Sequence, residues 1–185
     1  MTTTAPLPRR LATAAETTTT LDPLVRLLQP AAAALSALPG LGSLLRGSPL
    51  GHAAHPILTD LPIGLWTSST VLDLGGPRDG RAADRLLGLG ILSAAPAALS
   101  GLVDWHGEDR PVRRVGVLHA ALNSAALGLY TASWLLRRRD HRAAGIAVSL
   151  AAGGVLGASG YLGGHMVLVQ RSPHGEPGTD GTAGR

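Results

Sequence analysis

Cysteine is absent from this chain, which excludes disulfides, thiol catalysis, cysteine-ligated iron–sulfur centres and covalent c-type haem attachment. Phenylalanine is absent too, and three Trp and two Tyr are the only other aromatics of size. A soluble core filled by Leu, Ala, Gly and Val alone would pack poorly, whereas small residues suit helices that approach closely in lipid. Lysine is missing: all 16 basic residues are Arg, and they fall between apolar runs. That distribution is loop charge that sets topology, not a stripe for nucleic acid. No HExxH motif occurs, and LGLG at Leu87 to Gly90 has no strand before it to make a dinucleotide fingerprint. Residues 1 to 20, rich in Thr and Ala, lack an apolar h-region and read as a disordered leader, not a signal peptide. No internal repeat is convincing.

What remains is apolar. Of 185 residues, 45% are hydrophobic and 15% charged, which places the chain in a membrane class. The expected fold is all-α, an integral membrane four-helix bundle over residues 51–170, preceded by an amphipathic interfacial segment over 21–50 and followed by a disordered tail over 171–185. In the interfacial segment leucines recur at helical spacing, broken by Pro30 and by Pro39-Gly40. The spans run from about Pro56 to Leu74, Leu86 to Val103, Val115 to Leu136 and Ala143 to Val169. Pro62 is expected to kink the first. Gly153, Gly157, Gly160 and Gly164 make the fourth the helix built for closest packing.

Four spans put alternate ends on alternate faces. The face where the first span begins collects His52, His55, Asp104, His106, His119 and His165, with Asp60 on the same half of its helix. At 1.5 Å per residue, Asp60, His119 and His165 lie roughly 6 Å inside their helix ends. Intramembrane polar groups are functional candidates by default. Asn123 lies one turn from His119, and Tyr161 one turn from His165. Arg78, Arg81, Arg85, Arg137, Arg138, Arg139 and Arg142 mark the opposite face as cytoplasmic, leaving the histidines and both termini outside a plasma membrane.

The segments GHAAHPILTDLPIGLW, GLVDW, VGVLHAALNSAALGLY and YLGGHMV, in this order and spacing, resemble the bacterial membrane family catalogued as domain of unknown function twenty-two thirty-one. The resemblance covers about Gly51 to Val169, and His55, Asp60, Asp104, His119 and His165 occupy its motif positions. It implies an integral membrane fold and a possible redox association. In some members such a unit precedes a Rieske iron–sulfur domain, of which this cysteine-free chain would be the stand-alone form.

Three chemistries suit these groups. A b-type haem would take His119 and His165 as ligands with His55 as the alternate, room from Gly160 and Gly164, and outer hydrogen bonds from Asp60, Asn123 or Tyr161. A Zn, Cu or Fe ion would take three or four histidines with a carboxylate. A quinone or proton-relay site would use an Asp and His pair near the surface. A structural bundle that anchors a redox partner and holds no cofactor is the plain alternative, and a homo-oligomer is compatible with each of these.

Overall fold

A computed structural model describes residues 5–76 and 79–172, and every regular element among them is helical. Three short helices, α1 (Leu7–Thr17), α2 (Asp22–Ser36) and α3 (Leu41–Arg46), precede four long ones: α4 (His55–Gly75), α5 (Gly80–His106), α6 (Arg110–Arg138) and α7 (Arg142–Leu168). The stretch expected to be a disordered leader is helical over Leu7–Thr17. It buries Ala12 and Ala15 where α1 lies on α6 and α7. Pro30 does not break α2, whereas Pro39-Gly40 does break the chain, with Gly40 at a left-handed φ of 73°. Residues 21–50 pack along α5 and α6: Val25 and Leu28 meet the cluster of Ala32, Trp105 and Val117.

Three helices, α5, α6 and α7, are long and apolar enough to cross a membrane by length and composition. The first of the four expected spans, α4, is not among them, because Asp60, Asp73 and a run of Thr and Ser dilute its apolar content. Leu61, Leu92 and Leu150 are exposed on the outside of the bundle, as lipid contact would require. Helix α4 runs through Pro62, which is buried, as one element.

The four long helices form two hairpins, α4–α5 and α6–α7, joined through α5 with α6 and α4 with α7. The α6–α7 turn is tight: Asp140 adopts φ 62°, a left-handed conformation that Asp tolerates, and the His141 N–H returns to the Leu136 carbonyl. Serine hydroxyls hold each hairpin closed. Ser69 donates to the Ala83 carbonyl at 2.8 Å, and Ser133 donates to the Gly145 carbonyl at 2.6 Å. Such short polar links serve helices whose association lipid does not drive hydrophobically.

Those two bonds are one bond repeated. Ser69 and Ser133 are 64 residues apart, and so are His55 and His119, Trp66 and Tyr130, and Asp73 and Arg137. Their partners on α5 and α7 are 62 apart: Ala83 and Gly145, Ala97 and Ser159, Gly101 and Gly163. The chain therefore contains an internal repeat that the sequence alone did not yield, one hairpin in two copies about an axis along the bundle. Aligned on this offset, residues 55–74 and 119–138 share seven of twenty identities, running H-x2-L-x5-G-L-x-T-x-S-x2-L. Between α5 and α7 the glycine 101/163 alone persists over the aligned span 83–104, which is why the repeat is faint.

Helices α4 and α6 face each other across this axis and line it with paired layers. His55 meets His119 at one end. Eleven residues on, Trp66 stacks on Tyr130 with ring centroids 4.1 Å apart and planes 16° off parallel. Leu87 and Ala152 complete that buried layer. Asp73 meets Arg137 at the far end. The end layers are 18 residues apart, about 27 Å of helix, close to the ~30 Å of a hydrocarbon core.

Candidate functional site

Each histidine of the axial pair is seated by the helix next to it. His55 opens α4, and its Nδ1 lies 2.9 Å from the Ala97 carbonyl oxygen of α5. His119 lies in the third turn of α6, with Nδ1 2.8 Å from the Ser159 carbonyl oxygen of α7 and 3.0 Å from the Ser159 hydroxyl. A carbonyl only accepts, so Nδ1 carries a proton in both rings, and in the neutral imidazole Nε2 then carries the lone pair. Glycine makes the seats possible. A Cβ at Gly101 would stand 2.7 Å from His55 Cε1, and one at Gly163 3.2 Å from His119 Cε1.

The ring centroids are 6.5 Å apart and the planes 84° from parallel. Asn123, one turn along α6, donates from Nδ2 to His119 Nε2 at 2.9 Å, which agrees with the tautomer set by Ser159. Position 59, the counterpart of Asn123 in the first hairpin, is a threonine whose hydroxyl turns back to the Pro56 carbonyl at 2.7 Å. His55 Nε2 has no hydrogen-bond partner among the described residues.

The other expected members lie elsewhere. His165 is buried on α7, but it is two residues past Gly163. At about 100° per residue that is the opposite side of the helix, and its Nε2 meets Glu16 of α1 at 2.6 Å. Asp60 and Tyr161 are on outward faces, both exposed. His106 pairs with Gln29 at 3.0 Å, and His52 is exposed and reaches only the neighbouring Ala53 carbonyl. Asp104 sits beside Glu108 and Arg46. His141 belongs to the opposite end, and His174 lies outside the described residues. Of the five histidines expected to share a face, only His55 and His119 meet. Among the described residues no group of three or more His, Cys, Asp or Glu is placed to hold an ion. Nor do Gly157, Gly160 and Gly164 wall a site, since a Cβ on any of them would meet nothing within 4 Å.

At the other end of the axis is an ion-pair box that sequence reasoning treated only as loop charge. Arg137 is bidentate to Asp73 at 2.7 and 3.1 Å, and reaches Asp84 at 3.1 Å. Arg142 joins Asp73 at 2.5 Å and Asp84 at 3.0 Å. Ser133 and Ser149 fill the remaining hydrogen bonds of Arg137. Both acids come from the first hairpin and both bases from the second. A signal was present: charged residues at positions 73 and 137, where the shared H-x2-L-x5-G-L motif places them on equivalent helix faces.

Residues 51–172 match the sequence pattern of a family described as a predicted membrane protein, DUF2231. The chain belongs to that family. No curated protein and no solved structure matches it. The DUF2231 portion contains both hairpins, the histidine pair, the aromatic layer and the ion-pair box, while α1, α2 and α3 precede it. These added helices are tied to the family unit by a bidentate Arg114–Asp22 pair at 2.7 and 2.9 Å, by Glu16 with His165, and by Ser100 donating to the Leu45 carbonyl at 2.8 Å.

Proposed function

We propose that this DUF2231 protein is a four-span membrane protein that holds one redox-active metal centre between His55 and His119. The observation that carries this is the seating of the pair: each ring has Nδ1 within hydrogen-bond distance of a backbone carbonyl, so that as neutral imidazoles they offer Nε2, that of His55 free and that of His119 held by Asn123. A second-shell bond of this kind is what orients a ligating histidine. Two nitrogens each about 2 Å from one metal bring the ring centres to roughly 6 Å, close to the 6.5 Å between these rings.

Two imidazoles without a third protein ligand suit low-coordinate copper or the axial positions of haem iron, and not a four-ligand zinc site. Copper and haem iron are told apart by their optical spectra. In this reading α4 spans with the other three, because its end layers sit a bilayer apart, and the arginine-rich end faces the cytoplasm.

The test is metal analysis and an oxidised and reduced optical spectrum of detergent-purified protein loaded with copper or with haem. The wild type is expected to hold one metal per chain, His55→Ala and His119→Ala to lose it, and His165→Ala to keep it. A Soret band with sharp reduced bands would transfer the same ligand pair to haem. Wild-type protein that retains neither metal nor haem overturns the proposal, as does full occupancy in His55→Ala.

A further inference from the structure

The two halves of the histidine pair are built alike except at two positions: the Ser159 hydroxyl, 3.0 Å from His119 Nδ1, has no counterpart on Ala97, and Asn123 stands where the first hairpin has Thr59. Both Nδ1 atoms give their proton to a carbonyl of the adjacent helix, and both rings lie against a glycine. Both side chains are half-buried. The repeat fails one turn further on. Asn123 donates its amide to His119 Nε2, whereas Thr59 has turned its hydroxyl into its own helix and leaves His55 Nε2 uncovered.

We infer that Asn123 is a gate on His119: it occupies the lone pair of one histidine, so that an incoming electrophile or metal takes His55 first and engages His119 only when the amide swings aside. For metals this rests on the centre proposed above. For the inequivalence of the two imidazoles it does not.

The chemistry is a competition for one lone pair. An imidazole nitrogen that accepts a hydrogen bond must give it up before it can form a bond to carbon or to metal. One hydrogen bond corresponds to roughly two- to twelvefold in an equilibrium. Asn123 is thereby a positioning residue, acting through His119. A bound metal would leave its amide to find a new acceptor.

The full chain in detergent is treated with diethyl pyrocarbonate, which acylates the unprotonated imidazole nitrogen, and the modification of His55 and His119 is followed separately by peptide mass spectrometry. The wild type is expected to react faster at His55. Asn123→Ala should raise the His119 rate roughly two- to twelvefold and leave the His55 rate unchanged. Asn123→Thr, which copies position 59 into the second hairpin, should do the same and guards against a packing defect in the alanine variant. Equal rates in the wild type, or an unchanged ratio in both variants, would overturn the gate.

A copper(I) titration then separates the gate from the centre. Tighter binding by Asn123→Ala supports the gate. Weaker binding overturns it, since it would make the Asn123 amide oxygen a ligand. If the wild type binds no copper while the acylation ratio behaves as expected, the gate stands and the metal centre falls.

Discussion

Asp73 and Arg137 occupy the same position in two copies of one hairpin and bind each other, 2.7 Å apart with each side chain 1% exposed. The repeat has conserved a place on the axis while reversing the charge that stands there. Removing one partner leaves the other with only its second one, Arg142 for Asp73 or Asp84 for Arg137, so the loss should stay below the ~3–5 kcal/mol of a buried charge left wholly unpaired. Arg137→Ala and Asp73→Ala are each expected to lower the unfolding midpoint in detergent sharply. The combined variant should cost less than the sum of the two, measured as a double-mutant cycle.

Alanine scanning of glycines should divide them by contact and not by motif. Gly101→Ala drives a methyl into the His55 ring and should destabilise the fold or displace the ring, because the contact would be 2.7 Å. Gly157→Ala, in the small-residue stripe of α7, meets nothing within 4 Å and should be neutral or gain up to ~1 kcal/mol of helix propensity. Thermal unfolding of the two variants side by side checks this. Equal losses would mean that the stripe is packed after all.

Trp66 and Tyr130 are two of the chain's five large aromatics, and both are at most 4% exposed. Tyr130→Ala should cost about 3–5 kcal/mol as a large-to-small change in a core and flatten the near-ultraviolet dichroism of the stacked pair. Tyr130→Phe, which keeps the ring, should retain most of the stability and the dichroism.

The added N-terminal helices should be released by acid. The hydrogen bonds from Arg114, reinforced by its charge, hold the Asp22 carboxyl below its usual range. A depressed folded value means that the stabilisation is fully present above the unfolded value near pH 4 and is lost as pH falls through the lower, folded one. Limited proteolysis within residues 5–50 should therefore be slow at pH 7 and accelerate only below about pH 4. Asp22→Asn should be cut readily at pH 7. If that variant is as resistant as the wild type, the pair does not hold the segment.

The class of the fold was legible from composition and apolar runs, and so was the family, because its motifs are contiguous. A fixed rise per residue converts sequence position into distance along one helix, but neither the register between helices nor rotation about them was legible. His119 and His165 were expected at one depth, yet His119 is seated on Ser159, six residues from His165 along α7, and level with His55; of His119, His165, Asp60 and Tyr161 only His119 faces the axis. Which side a residue takes depends on the neighbouring helix, and no run of letters states it. The repeat is faint in sequence for a related reason. Trp66 became Tyr130 and Asp73 became Arg137, changes that break an alignment while keeping a ring opposite a ring and a charge opposite a charge. Helices α5 and α7 kept their backbone carbonyls as partners, and carbonyls leave no trace in sequence.

The segregation of both carboxylates into the first hairpin and both guanidinium groups into the second bears on the protein's birth. A chain that enters a bilayer from its N-terminus delivers Asp73 and Asp84 before Arg137 and Arg142 have been translated. The first hairpin then waits as an incomplete object, its two acids without the two guanidinium groups that meet them in the folded protein. The order of synthesis leaves this end of the bundle to be completed last.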